Sequence, residues 1–378
     1  VVRDADAFFE RQNLPPYAIR NRTGHALRVF KRGGDKMLVA VADGQEEGFR
    51  LESQTETLMS AVGAHNYIDI QVAGFEHPLR DVPIDGMLNL AYPLGQSQET
   101  SVICDVSMPS EQRIVTLCSP MMIENTCIFP LDIMIQGSGA WEGHPIILAP
   151  FAPDQQFHVP LALTVAGTIA VRKYGSKQPY LPDNHGLSLA KIVSRRFSFP
   201  VAAAATATPQ KSSVRGVIDI GMEYRAPQKG VRSLVFQSPI RLESRLPVQL
   251  NFSVVDSQSG NSVIGSLVPG CSKDIHSLDV RSNLMISMMI PGFTSSEHCP
   301  IRMEDTETLV PIRDNMDRPL FLRVRSLRGK DLSVRITIFC SFWIINRTGL
   351  NLFYSNDCKG LIAGQSSAGV KSTAMTTS

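Results

Sequence analysis

Apolar and polar residues alternate with period two through most of the chain. Ala18-Ile19-Arg20, Leu27-Arg28-Val29-Phe30, Tyr67-Ile68-Asp69-Ile70-Gln71-Val72, Leu320-Phe321-Leu322-Arg323-Val324-Arg325 and Leu332-Ser333-Val334-Arg335-Ile336-Thr337-Ile338 all follow it. Successive side chains of a strand point to opposite faces, so each run reads as a half-buried strand. Turn clusters separate the runs: Arg32-Gly33-Gly34-Asp35, Gln136-Gly137-Ser138-Gly139 and Leu327-Arg328-Gly329-Lys330. Helical spacing is confined to two short stretches, Asp6–Gln12 and Leu187–Val193. The pattern predicts an all-β fold.

The pattern also repeats at long range. Leu14-Pro15-Pro16-Tyr17-Ala18-Ile19-Arg20-Asn21, Cys118-Ser119-Pro120-Met121-Met122-Ile123-Glu124-Asn125, Gln237-Ser238-Pro239-Ile240-Arg241-Leu242-Glu243-Ser244 and Cys340-Ser341-Phe342-Trp343-Ile344-Ile345-Asn346 align. Each is followed by a strand pattern, at Leu27, Leu131, Val248 and Leu352. The anchors Asn21, Asn125, Ser244 and Asn346 fall 104, 119 and 102 residues apart. Pro150 and Pro269 each lie 25 residues after an anchor, and His158 and His276 follow at near-equivalent places. This predicts tandem β-sandwich modules of roughly 100–120 residues. Their expected bounds are 1–119, 120–238 and 239–341, with 342–378 opening a further repeat and ending in a loose tail. The small-residue run near 200–213, which has no period, reads as a mobile loop of the second repeat.

Composition narrows the function. Lys plus Arg is 37 and Asp plus Glu is 35, a net charge of +2. That balance argues against binding driven by bulk nucleic-acid electrostatics. The most apolar windows, Ile336–Ile345 and Leu284–Phe293, are about ten residues long, against the about 20 that a bilayer helix needs. The chain opens on Val1 rather than Met, which reads as an excerpt of a longer protein. Seven cysteines occur without a Cys-x-x-Cys pair, an odd and scattered set that fits a reducing, cytoplasmic compartment and no zinc site.

No residue set reads as catalytic, no cofactor is expected, and no metal site is expected. Cys271, Asp274 and His276 sit along one loop, whereas a Cys–His dyad is normally assembled across a fold. His298 and Cys299 are adjacent and so face opposite ways if extended. Gly137–Gly143 misses the dinucleotide-binding spacing and reads as a hairpin turn. Arg313, Arg318, Arg323, Arg325, Arg328 and Lys330 make a basic stretch that either meets anionic headgroups or is a solvated strand face. Cys118 and Cys340 take the same repeat position, where the third repeat has Gln237. The candidate site residues are the repeated asparagines Asn21, Asn125 and Asn346. An asparagine side chain can tie a following turn or contact a ligand peptide.

At Trp343-Ile344-Ile345-Asn346-Arg347-Thr348-Gly349-Leu350 the chain resembles the vacuolar protein sorting-associated protein 13 family, in its adaptor-binding (VAB) region. Repeats of about 100 residues that open on an Asn-bearing strand resemble it too. The resemblance implies a non-catalytic part of a bridge-like lipid transfer protein, peripheral at organelle membrane contact sites. It implies partners that are organelle adaptor or receptor proteins offering short Pro-x-Pro peptides, besides neighbouring repeats of the parent chain. It implies no nucleic acid and only indirect membrane contact. An alternative is a purely architectural set of early repeats; another is an extracellular adhesion array, against which the unpaired cysteines argue.

Overall fold

The protein is described by a computed structural model, which covers residues 15–51, 66–94, 100–109, 111–137, 144–182, 186–200, 217–228, 230–331 and 333–341. Among these residues the chain is almost entirely β. The expected helix at Asp6–Gln12, the run 201–213, the turn at 138–143 and the repeat opening at 342–378 lie outside the described residues.

Nine strands form a first set: β1 (Tyr17–Arg22), β2 (Leu27–Lys31), β3 (Met37–Val41), β4 (Glu46–Phe49), β5 (Tyr67–Val72), β6 (Leu79–Pro83), β7 (Leu88–Pro93), β8 (Ser101–Ser107) and β9 (Arg113–Cys118). The second set is β10 (Met121–Asn125), β11 (Leu131–Gly137), β12 (Ile146–Phe151), β13 (Gln156–His158), β14 (Gly167–Lys173), β15 (Leu187–Ser188), β16 (Arg195–Pro200), β17 (Val217–Gln228) and β18 (Val231–Gln237). The third is β19 (Ile240–Ser244), β20 (Leu250–Asp256), β21 (Ser262–Leu267), β22 (Ser272–Ile275), β23 (Leu284–Met289), β24 (Cys299–Pro300), β25 (Thr306–Arg313), β26 (Pro319–Arg328) and β27 (Val334–Phe339).

The three sets share one topology. The five-stranded sheets run β4-β1-β9-β8-β7, β13-β10-β18-β17-β16 and β22-β19-β27-β26-β25. The four-stranded sheets run β3-β2-β5-β6, β12-β11-β14-β15 and β21-β20-β23-β24. Each set closes by pairing its first strand in parallel with its last: Asn21 opposes Leu117, Asn125 opposes Phe236 and Ser244 opposes Ile338. The last strand then runs into the next set through two residues, Ser119-Pro120 or Ser238-Pro239. A proline cannot donate to a ladder, so pairing stops there.

Each pair of sheets is a sandwich with its own core. The first packs Ile19, Leu27, Ile70, Val102 and Leu117, the second Met121, Ile133, Phe151, Ile220 and Phe236, and the third Ile240, Phe252, Ile286, Val324 and Ile338. Phe151 and Phe236 are fully buried, each contributing roughly 1.5–3 kcal/mol of apolar burial. Alternation is plain in β20, where Leu250, Phe252 and Val254 are buried and the residues between are half-buried. One helical expectation is corrected: Leu187 and Ser188 form a strand, and only Leu189–Lys191 turn, as a single 3-10 turn. Leu187 pairs with Ile169, and that ladder outweighs the helical spacing. A four-residue helix, α1 (Leu163–Ala166), was not legible, being too short to show a period.

Candidate functional site

The repeated asparagines sit at the end of the opening strand, where the chain leaves one sheet for the other. Asn21 is 0 % exposed, and its Nδ2 donates to the carbonyls of His25 (2.7 Å) and Val41 (3.1 Å). Its Oδ1 accepts from Thr23 N (3.1 Å) and Thr23 Oγ1 (2.7 Å). Asn125 is also 0 % exposed and repeats the pattern. Its Nδ2 donates to Phe129 O (3.2 Å) and Phe151 O (2.8 Å), and its Oδ1 accepts from Cys127 N (3.0 Å). Val41 and Phe151 hold the same place, each opposite the first residue of the following strand. The side chain thus ties the crossover turn to an edge strand of the other sheet. Ser244, at the third anchor, is buried and accepts only a long bond from Leu246 N (3.4 Å). Asn346 lies outside the described residues.

The ladder register corrects two sequence equivalences. His158 stands opposite Met122, and the matching residue of the third module is Asp274, opposite Arg241. His276 is two residues further on, so it corresponds to Pro160. Cys118 matches Gln237 and Phe339 in the ladders, so Cys340 is one residue beyond the repeat position. The His276 offset arises because loop lengths differ between repeats while the ladders do not; the Cys340 offset arises because the Cys-Ser pair repeats one place out of step, Phe339 lying seven residues before Asn346 as Cys118 lies before Asn125.

The residues after the short fourth strands of the second and third sets, β13 and β22, form the joints between modules, which no sequence motif announced. At the first joint Leu161 N donates to Thr23 O (3.0 Å), and Gly24 lies against Pro160. At the second, Asp219 N donates to His276 O (2.9 Å), and His276 Nδ1 meets Asp219 O (3.0 Å). The His276 ring packs edge-on against Phe129, with centroids 4.6 Å apart. Arg196 reaches Asp279 across the same joint (3.5 Å). Burial holds the His276 imidazole below its usual range and pushes the Asp219 and Asp274 carboxyls up. Burial likewise lowers His25 and His158 at the first joint. A glycine inside a strand pattern, Gly221, is the one signal that could have pointed to a close approach here.

The remaining candidates are dispersed. The six described cysteines are free thiols, and burial pushes Cys104 up to about 12 and Cys118 to about 11, far from reactive thiolates. Among the described residues no group of His, Cys, Asp and Glu is placed to hold a metal ion. His298 is exposed and Cys299 buried, on opposite faces. The basic stretch is largely answered by acids: Arg323 and Arg325 converge on Glu307, Arg318 on Asp314 (2.7 Å) and Arg313 on Asp317 (3.1 Å). Among the described residues no helix is long and apolar enough to cross a membrane.

Comparison with known proteins gives the chain a family. Residues 52–376 match the family model of the vacuolar-sorting associated protein 13, adaptor binding domain. The chain is 25% identical over 279 residues to the human intermembrane lipid transfer protein VPS13D, covering 68% of the chain and 6% of that protein. It is 22% identical over 372 residues to intermembrane lipid transfer protein VPS13 of Chaetomium thermophilum, covering 89% of the chain and 11% of that protein. The chain therefore spans a small part of the length of either relative. With the family model matched over most of its residues, the chain belongs to the vacuolar-sorting associated protein 13 adaptor-binding domain family.

Proposed function

We propose that this chain is part of the region by which an intermembrane lipid transfer protein is docked on organelle receptors, peripherally, at membrane contact sites. The observation that carries this reading is the adaptor-binding family match over residues 52–376. The ligands are short Pro-x-Pro peptides on those receptors. A proline-containing segment is pre-extended and lacks a donor at each proline, so it suits a sheet edge, where main-chain bonds alternate with side-chain pockets. Every sandwich offers such edges, β3, β12 and β21 among them. Ile147 on β12 and Ile264 on β21 are 55% and 75% exposed, which gives an incoming side chain apolar surface to cover.

We take the modules as 1–119, 120–238 and 239–341, with 342–378 opening a further repeat; the parallel closure of each strand set supports these bounds. We assign Asn21, Asn125 and, by repeat position, Asn346 as repeat-defining ties. Full burial and closed hydrogen bonding at the first two support that role.

The test is titration of the chain with fluorescent Pro-x-Pro peptides, with a complete adaptor-binding region as positive control. Micromolar binding that disappears when the prolines become alanine is expected. Binding by the control alone removes the peptide site from residues 1–378 and leaves these modules an architectural role.

A further inference from the structure

The opening strand of each module pairs in parallel with the last, and the residue three places before the anchor has a fixed partner there. The pairs are Ala18 with Ile114, Met122 with Ser233, and Arg241 with Arg335. The fold itself asks for no charge at this place. The third module nevertheless sets two guanidinium groups side by side, on strands about 5 Å apart. Leu242 and Ile336 turn into the core, so Arg241 and Arg335 share the outer face, and both are exposed. Like charges directly opposed on one face are destabilising.

The acids of that face do not relieve them. Glu307 takes Arg323 and Arg325, and Glu243 takes Arg245 (2.8 Å). Asp274 opposes Arg241 in the ladder, yet among the described residues the two form no ion pair. Arg241 donates instead to Ser272 Oγ (2.9 Å). Among the described residues the Arg335 side chain has no hydrogen-bond or ion-pair partner, and the residue across the ladder is Leu327, itself exposed. The place is also clear of the contacts between modules. At the second joint Asp331 covers Gly221 so closely that a Cβ there would collide with Asp331 Oδ2. Gln237 Nε2 donates to Asp331 Oδ2 (3.2 Å) and Ser333 Oγ (3.3 Å). Ser233 stands four residues before Gln237 on the same face, and both it and Met122 stay half-buried beside that joint.

We infer that Arg241, Arg335 and Ser272 form a binding site for a single oxyanion of the phosphate-monoester class. Such a group carries about −1.5 to −2 charge at pH 7, which balances two guanidinium groups. Its oxygens accept from both planar forks. The Ser272 hydroxyl accepts from Arg241 and keeps its own proton to donate. A compact anion suits the place better than an anionic bilayer. Glu243, Glu307 and Asp274 lie on the same face, and a charged membrane laid across it would meet them too. The source is therefore free phosphate or a phosphorylated side chain of a partner.

The test measures hydrogen exchange in the full-length protein that carries this chain, in about 20 mM phosphate against chloride of equal ionic strength. Amides of β19 and β27 are expected to exchange roughly threefold slower in phosphate, with those of the first two modules unchanged. Equal exchange in the two salts overturns the inference. So does a slowing spread over all three modules, which is the general effect of phosphate on apolar burial. The control is Arg335→Gln. In chloride its β27 is expected to exchange no faster than that of the unsubstituted protein, since a repulsion has been removed. In phosphate the slowing is expected to vanish. A slowing that persists, or faster exchange of the variant in chloride, overturns the inference. A fluorescent peptide bearing one phosphoserine reads the source. Peptide binding that Arg335→Gln abolishes assigns the anion to a phosphorylated side chain; protection by inorganic phosphate alone assigns it to the free ion. Protection of β27 by vesicles containing phosphatidic acid, without protection by phosphate, makes the ligand a bilayer and overturns the inference.

Discussion

An asparagine at the anchor does what a serine there cannot. Asn125 closes three bonds at once, to Phe129 O, Phe151 O and Cys127 N, in a place with no access to water. Its amide reaches across to the opposite sheet, whereas Ser244 reaches only Leu246 N. Replacing Asn125 by alanine leaves buried polar groups unpaired, so Asn125→Ala is expected to cost about 2–4 kcal/mol in urea unfolding. A cost under about 0.5 kcal/mol would show that the tie is dispensable. The converse holds in the third module. The carbonyls at the matching places are Val248 and Leu267, the latter opposite Leu250 as Phe151 is opposite Leu131. Ser244→Asn is therefore expected to stabilise the chain by about 1 kcal/mol, read as a raised urea midpoint at unchanged slope.

At the scale of elements, the joints depend on close approach of backbone to side chain. Gly221 is an ordinary strand position by conformation, yet Asp331 leaves it no room for a methyl group. Gly221→Ala is expected to lift the turn at Asp331, breaking the Gln237 bonds and weakening the joint by more than about 1 kcal/mol. Hydrogen exchange would show this as faster opening of β27 and the turn before it, with the first sandwich unchanged; uniform loss across all three sandwiches would argue for general destabilisation instead. Gly24 is doubly constrained, with φ +77 and Pro160 atoms 2.5 Å from where a Cβ would lie. These contacts explain what could be read in advance. Alternation exposed strands such as β5, β20 and β26 because one face of each is buried against a partner sheet. The anchors were legible because the same tie recurs at the same distance from the same crossover. The joints were not, because Asp219, His276 and Asp331 each look like ordinary turn or strand-face polar residues until the neighbouring module is set beside them. The equivalence drawn by counting failed at His276 for a related reason: differing loop lengths shift the count, while the ladders keep their register.

The array as a whole has a pH response that its joints dictate. His25, His158 and His276 lie at the two joints, and burial holds all three imidazoles below their ordinary range. Facing His276 are the Asp219 carbonyl, the Phe129 ring and the Asp274 carboxyl. His276 Nε2 has no hydrogen-bond partner, so a second proton on the ring gains no hydrogen bond there, and the pull of the Asp274 carboxyl is outweighed by burial. The unfolded chain binds protons at these histidines near pH 6.5, whereas the folded chain resists until lower pH. Between those values the unfolded state holds more protons, so stability falls as pH drops from about 6.5. The raised carboxyls of Asp219 and Asp274 act in the opposite sense, because there the folded state binds the extra proton, starting above their ordinary pKa near 3.8. The histidine loss therefore stands out in the window from about pH 7 down to about pH 5.5. Urea midpoints of the chain are expected to fall across it, and His276→Gln, which keeps a polar side chain but cannot be charged, is expected to flatten the part of the fall that belongs to the second joint. If the His276→Gln chain falls as steeply as the unsubstituted one, the acid response resides in the first joint, at His25 and His158. A flat profile for the unsubstituted chain would mean that protonated imidazoles find partners at these joints as good as those of water.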